Sequence, residues 1–135
     1  MIKKILISLC LLFLDKVAIA NQKVPNWVFV GTNISESSIY IDVNNIISKS
    51  KNIKQYWTKI NFTKPIQSYG KGHLSARSFM EVKCDENMIS MNYAKFYQNH
   101  DNLGEATPNF GNPNVWDMII PGSIESVMIF KYVCK

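Results

Sequence analysis

Three cysteines, two histidines and a scatter of carboxylates are the side chains of this 135-residue sequence that could carry out chemistry. His73 and His100 sit in Gly/Asn-rich stretches with no partner at metal-ligand spacing, so neither points to a zinc site. No HExxH, CxxC or GxSxG arrangement occurs anywhere, which removes the usual metalloprotease, redox and serine-hydrolase readings. A glycan-cutting enzyme would need only two carboxylates about 5–10 Å apart. Asp42, Glu81, Asp85, Glu86, Asp101, Glu105, Asp117 and Glu125 are available, but most read as turn or helix-start residues. Asp85 and Glu86 fall in a predicted hairpin turn, and Glu125 follows a predicted helix cap. The expectation is a protein that is not an enzyme and that uses neither metal nor cofactor.

The cysteines carry a different chemistry, and the N-terminus says where. MIKKILISLCLLFLDKVAIA has two lysines, an apolar run from Ile5 to Leu14, and small residues at Ala18 and Ala20, the pattern of a secretory signal peptide over residues 1–20. Ten apolar residues reach about 15 Å as a helix, half of a bilayer core of about 30 Å, so no permanent span is expected. Cys10 does not suit lipidation, because Leu9 precedes it where a small residue is needed. Cleavage near Ala20 leaves one domain over residues 21–135 and two cysteines, Cys84 and Cys134, in a disulfide-permissive compartment where only one pairing is available. The location expected is periplasmic, at the cell surface or secreted.

Binding chemistry is what remains. The formal charge of the whole chain is +5, and removing Lys3, Lys4, Lys16 and Asp15 with the signal reduces it to +3. That balance, without a dense basic run, argues against nucleic acid. Lysines nonetheless punctuate the middle of the chain, and Lys54, Lys59, Arg77, Phe79 and Lys83 are the candidate partner-binding residues. Their expected partner is acidic, either a protein or an acidic polysaccharide.

The elements that position these residues follow from alternation and punctuation. WVFVG at 27–31 and IYIDV at 39–43, separated by TNISESS, read as a hairpin. Residues 53–62 alternate with bulk on both faces, Tyr56, Ile60 and Phe62 on one and Ile53 and Trp57 on the other. Residues 64–73, with a proline and two glycines, read as a mobile loop. Residues 74–84 and 89–97 flank DENM, and that turn would place Cys84 opposite Ile89. One face then receives Leu74, Ala76, Met80, Val82, Cys84, Ile89, Met91, Tyr93 and Tyr97; the other receives Arg77, Glu81, Lys83, Ser90 and Asn92. Residues 98–114 read as a long surface loop and 115–120 as a short strand. For the last segment, Val127, Ile129 and Val133 favour a strand while Ser123 and Glu125 favour a helix start, and pattern alone leaves both open.

Taken in order, WVFVG, IYIDVNNI, QYWTKINFTKP, SARSFMEVKCDEN and VWDMIIPGSIESVMIFKYVC resemble the surface-adhesin protein E family of Gram-negative bacteria over most of residues 27–134. The resemblance implies an α+β fold: a single antiparallel β-sheet of about five to six strands with a C-terminal helix tied to it by the Cys84–Cys134 disulfide. It favours helix for the last segment, with Pro121-Gly122-Ser123 setting the angle at which the helix leaves the sheet. It also implies an adhesin that binds host extracellular matrix and serum proteins such as laminin and vitronectin, and a homodimer. The absence of a lipobox departs from the family pattern. The alternative function is a periplasmic inhibitor or accessory subunit of an envelope system, for example a lysozyme inhibitor, with 98–114 or 64–73 as the plugging loop.

Overall fold

The β-branched and aromatic runs form seven strands of one antiparallel sheet: β1 Trp27–Thr32, β2 Ser38–Asp42, β3 Ile47–Ser48, β4 Ile53–Ser68, β5 Lys71–Lys83, β6 Met88–Tyr97 and β7 Asp117–Met118. The path across the sheet is β1-β2-β4-β5-β6-β7, with β3 paired on the start of β4. This computed structural model describes residues 23–135; the expected signal peptide, its cleavage near Ala20 and Cys10 lie outside the described residues. Within residues 23–135 no helix is long and apolar enough to cross a membrane.

The hairpins follow their turn chemistry. Between β1 and β2 the Asn33 carboxamide oxygen accepts from the backbone N–H groups of Ser35 and Ser37, both at 3.0 Å. Residues 64–73, expected as a loop, are instead the paired ends of β4 and β5, with Ser68 opposite Lys71. Tyr69 and Gly70, at φ 53° and 73°, close them in the two-residue turn whose positive φ values match strand twist. Pro65 does not forbid this, because the pairing is interrupted between Asn61 and Ile66, and a proline is tolerated at such an irregularity.

The β5–β6 register differs from expectation by two residues at the turn, with Val82 rather than Cys84 opposite Ile89. A slip of two preserves the faces. A bulge on β6 does not: Met80 faces Met91, yet Phe79 faces Tyr93. The extra residue, Asn92, reverses the parity of the rest of β6. Tyr93 and Tyr97, expected on the core side, therefore lie on the other face. Residues 98–114 run back along β6 instead of projecting, bridging Ala94 to Phe110 and Tyr97 to Ala106 and so covering an otherwise open edge.

The final segment is helical. Ser123 Oγ accepts from the N–H of Ser126 at 3.1 Å, capping α1, Ile124–Met128, which continues as a wider π-helical turn over Ile129–Val133. Gly31 lets the helix start seat against β1, since a Cβ there would come within 2.7 Å of Ile124 Cδ1. Met128, Ile129 and Val133 bury themselves against Ile39, Ile41, Tyr56, Met80 and Val82, forming the core on one face of the sheet. A disulfide between Cys84 at the end of β5 and Cys134 closes the lid, with the two Cα atoms 5.7 Å apart.

Candidate functional site

The face of the sheet away from the helix carries an ordered arrangement of rings and cations. Residues directly opposed on neighbouring strands share a face. Phe29 opposes Tyr40, Tyr40 opposes Lys59, Lys59 opposes Arg77, and Arg77 opposes Lys95, giving one continuous row across five strands. The next row holds Trp57, Phe79 and Tyr93. Ring centroids lie 4.7 Å apart for Trp57 and Phe79, and 5.6 Å apart for Trp57 and Tyr93.

Three of the cations on this face, Lys59, Arg77 and Lys83, lean on aromatic rings. The Arg77 guanidinium lies 4.2 Å from the Trp57 centroid, and Lys83 Nζ lies 4.2 Å from that of Trp116. Lys59 Nζ lies 4.6 Å from the Tyr40 ring and 5.2 Å from that of Trp27. Such contacts contribute about 0.5–2 kcal/mol each, depending on desolvation. They hold the long side chains in place.

Carboxylates compensate only some of these charges. Asp101 reaches Lys59 at 3.1 Å and also accepts from Asn61 at 2.9 Å; those two hydrogen bonds hold the Asp101 carboxyl below the usual range. Lys83 has Glu86 at 3.7 Å. Buried Glu81 is raised by burial, but hydrogen bonds from Lys49, Gln55 and Asn92 and the Lys49 charge outweigh that, leaving it below its ordinary value. Among the described residues, Arg77 and Lys95 take part in no ion pair.

Above the centre of this face lies an open groove of 400 Å³ whose lining includes Trp57, Arg77 and Phe79 together with Lys23, Pro25 and Ile47. On the opposite face, between α1 and the sheet, an apolar crevice of 290 Å³ is lined by Ile39, Ile60, Met80, Met91 and Met128, with Glu125 at its side. Burial, aided by the Asp117 charge, raises the Glu125 carboxyl above its ordinary value. Among the described residues, no group of three or more His, Cys, Asp or Glu side chains gathers as a metal cage.

Of the residues singled out from sequence, Lys59, Arg77, Phe79 and Lys83 share the open face, whereas Lys54 does not. Lys54 opposes Val82, a core residue, and lines a cleft beside Cys84, Phe130 and Cys134 on the helix side. Strand parity explains the difference, because 54 is even and 59 odd on an unbroken stretch of β4. Phe79 is half-buried on Trp57 rather than freely exposed. Lys95 and Tyr93 were missed because the bulge at Asn92 turns them to this face, and a lone Asn with no Gly or Pro beside it does not mark a bulge in the sequence. His73 also departs from the loop position expected of it: it is a buried residue of β5, stacked on Phe96. His100 places Nε2 2.8 Å from the carbonyl oxygen of Phe62.

Comparison with known proteins bears on this geometry. The family described as surface-adhesin protein E matches residues 27–135. This chain belongs to that family. Similar solved structures share its fold at low identity. The structure of Haemophilus influenzae protein E aligns with a TM-score of 0.58 and 14% identity, covering 84% of this chain and 92% of that one. Protein E from non-typeable Haemophilus influenzae gives a TM-score of 0.58 at 15% identity, covering 83% and 79%. A second crystal form of Haemophilus influenzae protein E gives 0.57 at 14% identity, covering 84% and 98%. No curated protein matches the chain. At such identities the structural likeness speaks for the fold alone, and family membership rests on the match over residues 27–135.

Proposed function

We propose that this chain is an exported, non-enzymatic binding module whose open sheet face, through Arg77, Phe79, Lys83 and Lys95, captures acidic partners, either acidic polysaccharide or an acidic surface of a host matrix protein; Lys59, expected among these residues, is buried and paired with Asp101. Membership of an adhesin family supports the general class. The observation that carries the partner chemistry is the row of Lys59, Arg77 and Lys95 on three adjacent strands: Lys59 is buried and paired with Asp101, while among the described residues Arg77 and Lys95 take part in no ion pair. Like charges placed directly opposite each other cost stability. Such a row gives back that cost when an anion lies across it. The interleaved rings add the apolar, low-entropy contact area on which small interfaces depend.

Retention on immobilised heparin-like polymer tests the reading. The wild type is retained, and elutes earlier as salt rises, because exposed charges are screened within about 8 Å at physiological ionic strength. Reversing Lys83 and Lys95, both partly exposed, to Glu removes most of that retention and lowers the association rate more than it raises dissociation. Wild-type protein that flows through without salt-dependent retention, on this polymer and on immobilised matrix protein alike, overturns the proposal.

A further inference from the structure

The groove at the centre of the open face carries a more specific reading, which rests on the function just proposed. We propose that it is a subsite for a uronic-acid residue, the Arg77 guanidinium taking the sugar carboxylate and the apolar walls taking the ring.

The first reason is the state of Arg77. Its guanidinium lies 4.2 Å from the centre of the Trp57 ring, and its Nε is buried with no hydrogen-bond partner. Among the described residues it takes part in no ion pair, although its neighbour Lys59 has Asp101. A half-buried guanidinium ordinarily finds an acceptor, because leaving donors unsatisfied costs about 1–3 kcal/mol and more for charged groups. Arg77 Cζ sits over the Trp57 ring, and the N–H donors lie in the guanidinium plane. In that plane the donor fork matches a carboxylate bidentately, as an ammonium would not.

The second reason is that the groove has a pre-formed wall. Lys23 and Pro25, on the rim, precede β1, and side chains of the β2–β3 connection fasten their stretch of chain. Asn45 Nδ2 donates to the Lys23 carbonyl at 3.0 Å and Asn45 Oδ1 accepts from the Lys23 N–H at 3.0 Å. Asn44 Nδ2 donates to the Val24 carbonyl at 2.9 Å. Asp42 Oδ1 accepts from the Asn26 N–H at 2.9 Å. A wall held by four such bonds loses little entropy when a ligand arrives. The space enclosed is 400 Å³, within the range of about 300–1,000 Å³ usual for small-ligand sites.

The third reason concerns which anion fits. The lining has two cations, Lys23 and Arg77, and no acid, beside the apolar surfaces of Pro25, Ile47 and Phe79. Its floor comes from β4 and β5, which are interior strands paired on both sides, so an extended acidic peptide would find no free strand edge to hydrogen-bond. A sugar ring needs no such edge. It needs apolar contact on a ring face, side-chain donors for its hydroxyls, and one charged fork for the carboxylate.

The test titrates wild-type protein with a hyaluronan hexasaccharide, which carries uronic carboxylates and no sulfate, against chitohexaose as the neutral oligomer and a hexaglutamate peptide. Calorimetry is expected to detect the hyaluronan oligomer and not chitohexaose, with hexaglutamate at least tenfold weaker. Arg77→Gln and Arg77→Lys each lower hyaluronan affinity at least tenfold, and Lys23→Glu, on the exposed rim where folding is not at stake, lowers it at least threefold. Salt-dependent retention of the wild type on heparin-like polymer without measurable hyaluronan affinity overturns the subsite while leaving the acidic-partner reading standing. Loss of both in the wild type sinks that reading as well. Hexaglutamate binding as tightly as hyaluronan, or an unchanged affinity in both Arg77→Lys and Lys23→Glu, also overturns it.

Discussion

On the side facing the helix, β4 and β5 present Tyr56, Met80 and Val82 to Met128, Ile129 and Val133; on the other side, the same two strands present Trp57, Arg77 and Phe79 to a groove. The helix side is apolar and closed by a covalent tie. The open side places charges next to one another and props them on rings. A single sheet with a lid on one face buries its stability there and leaves the second face free for recognition. Stability and binding should therefore respond to substitution on different faces.

The strongest test of that division is the disulfide. Cys84 and Cys134 are separated by 50 residues, and closing such a loop stabilises by about 4 kcal/mol in the chain-entropy model. Replacing both cysteines with Ser is expected to lower stability by that order while leaving retention on acidic polymer intact at temperatures where the protein stays folded. Denaturant melts and polymer chromatography on the same variant measure both halves. Lost retention in a folded variant would mean that the helix side shapes the open face.

Next comes a pair of truncations, one from each side. Ile129 is fully buried under the lid, so Ile129→Ala should cost about 2–5 kcal/mol from lost burial and the cavity left behind. Phe79 is half-buried, and its stacked partner Trp57 retains Tyr93. Phe79→Ala forfeits an aromatic pair valued at about 0.5–1.5 kcal/mol together with part of its burial, and should unfold at higher denaturant than Ile129→Ala. The binding effects should run in reverse, Phe79→Ala shortening residence on polymer and Ile129→Ala leaving it unchanged.

The helix side was the more legible of the two in the sequence. Period-two alternation in β5 and the paired cysteines mark its strand and its tie by residue type alone, whereas the choice of helix after Pro121-Gly122-Ser123 came from the family resemblance. Met80 and Val82 fall on the expected side for that reason. The open face was legible only in part, because its membership depends on two features that residue type does not announce. One is the bulge at Asn92, which brings Tyr93 and Lys95 beside Phe79 and Arg77. The other is the return of residues 98–116, which carries Asp101 to Lys59 and Trp116 to Lys83 across long sequence separations. Lys54 fell out for a simpler reason, since nearness in sequence to Lys59 says nothing about parity. The hairpin at 69–70 was hidden because glycine and proline signal a break equally well in a loop and in a tight turn.

The smallest effect expected is also the one that separates the faces by sign. Glu125, beside the crevice under α1, has a carboxyl raised by burial and by the Asp117 charge. A group raised in the folded state contributes stability that is fully present below its unfolded pKa, about 4.3 for Glu, and is lost as pH rises through the folded value. Asp101 on the open face behaves oppositely, because hydrogen bonds from Asn61 and Lys59 lower it. Its contribution is present above an unfolded pKa of about 3.9 and is lost as pH falls through the folded value. Melting temperatures followed from neutral to acid pH should therefore diverge between two isosteric variants. Glu125→Gln, fixed in a neutral form, should exceed wild type at neutral pH and lose that advantage on acidification. Asp101→Asn should fall below wild type at neutral pH, and the gap should close in acid. Because Asp101 is exposed, added salt should shrink its gap, while the difference at half-buried Glu125 should persist. Parallel curves for the two variants would mean that both carboxyls sit in equivalent surroundings, against the division of the sheet into a closed side and a charged one.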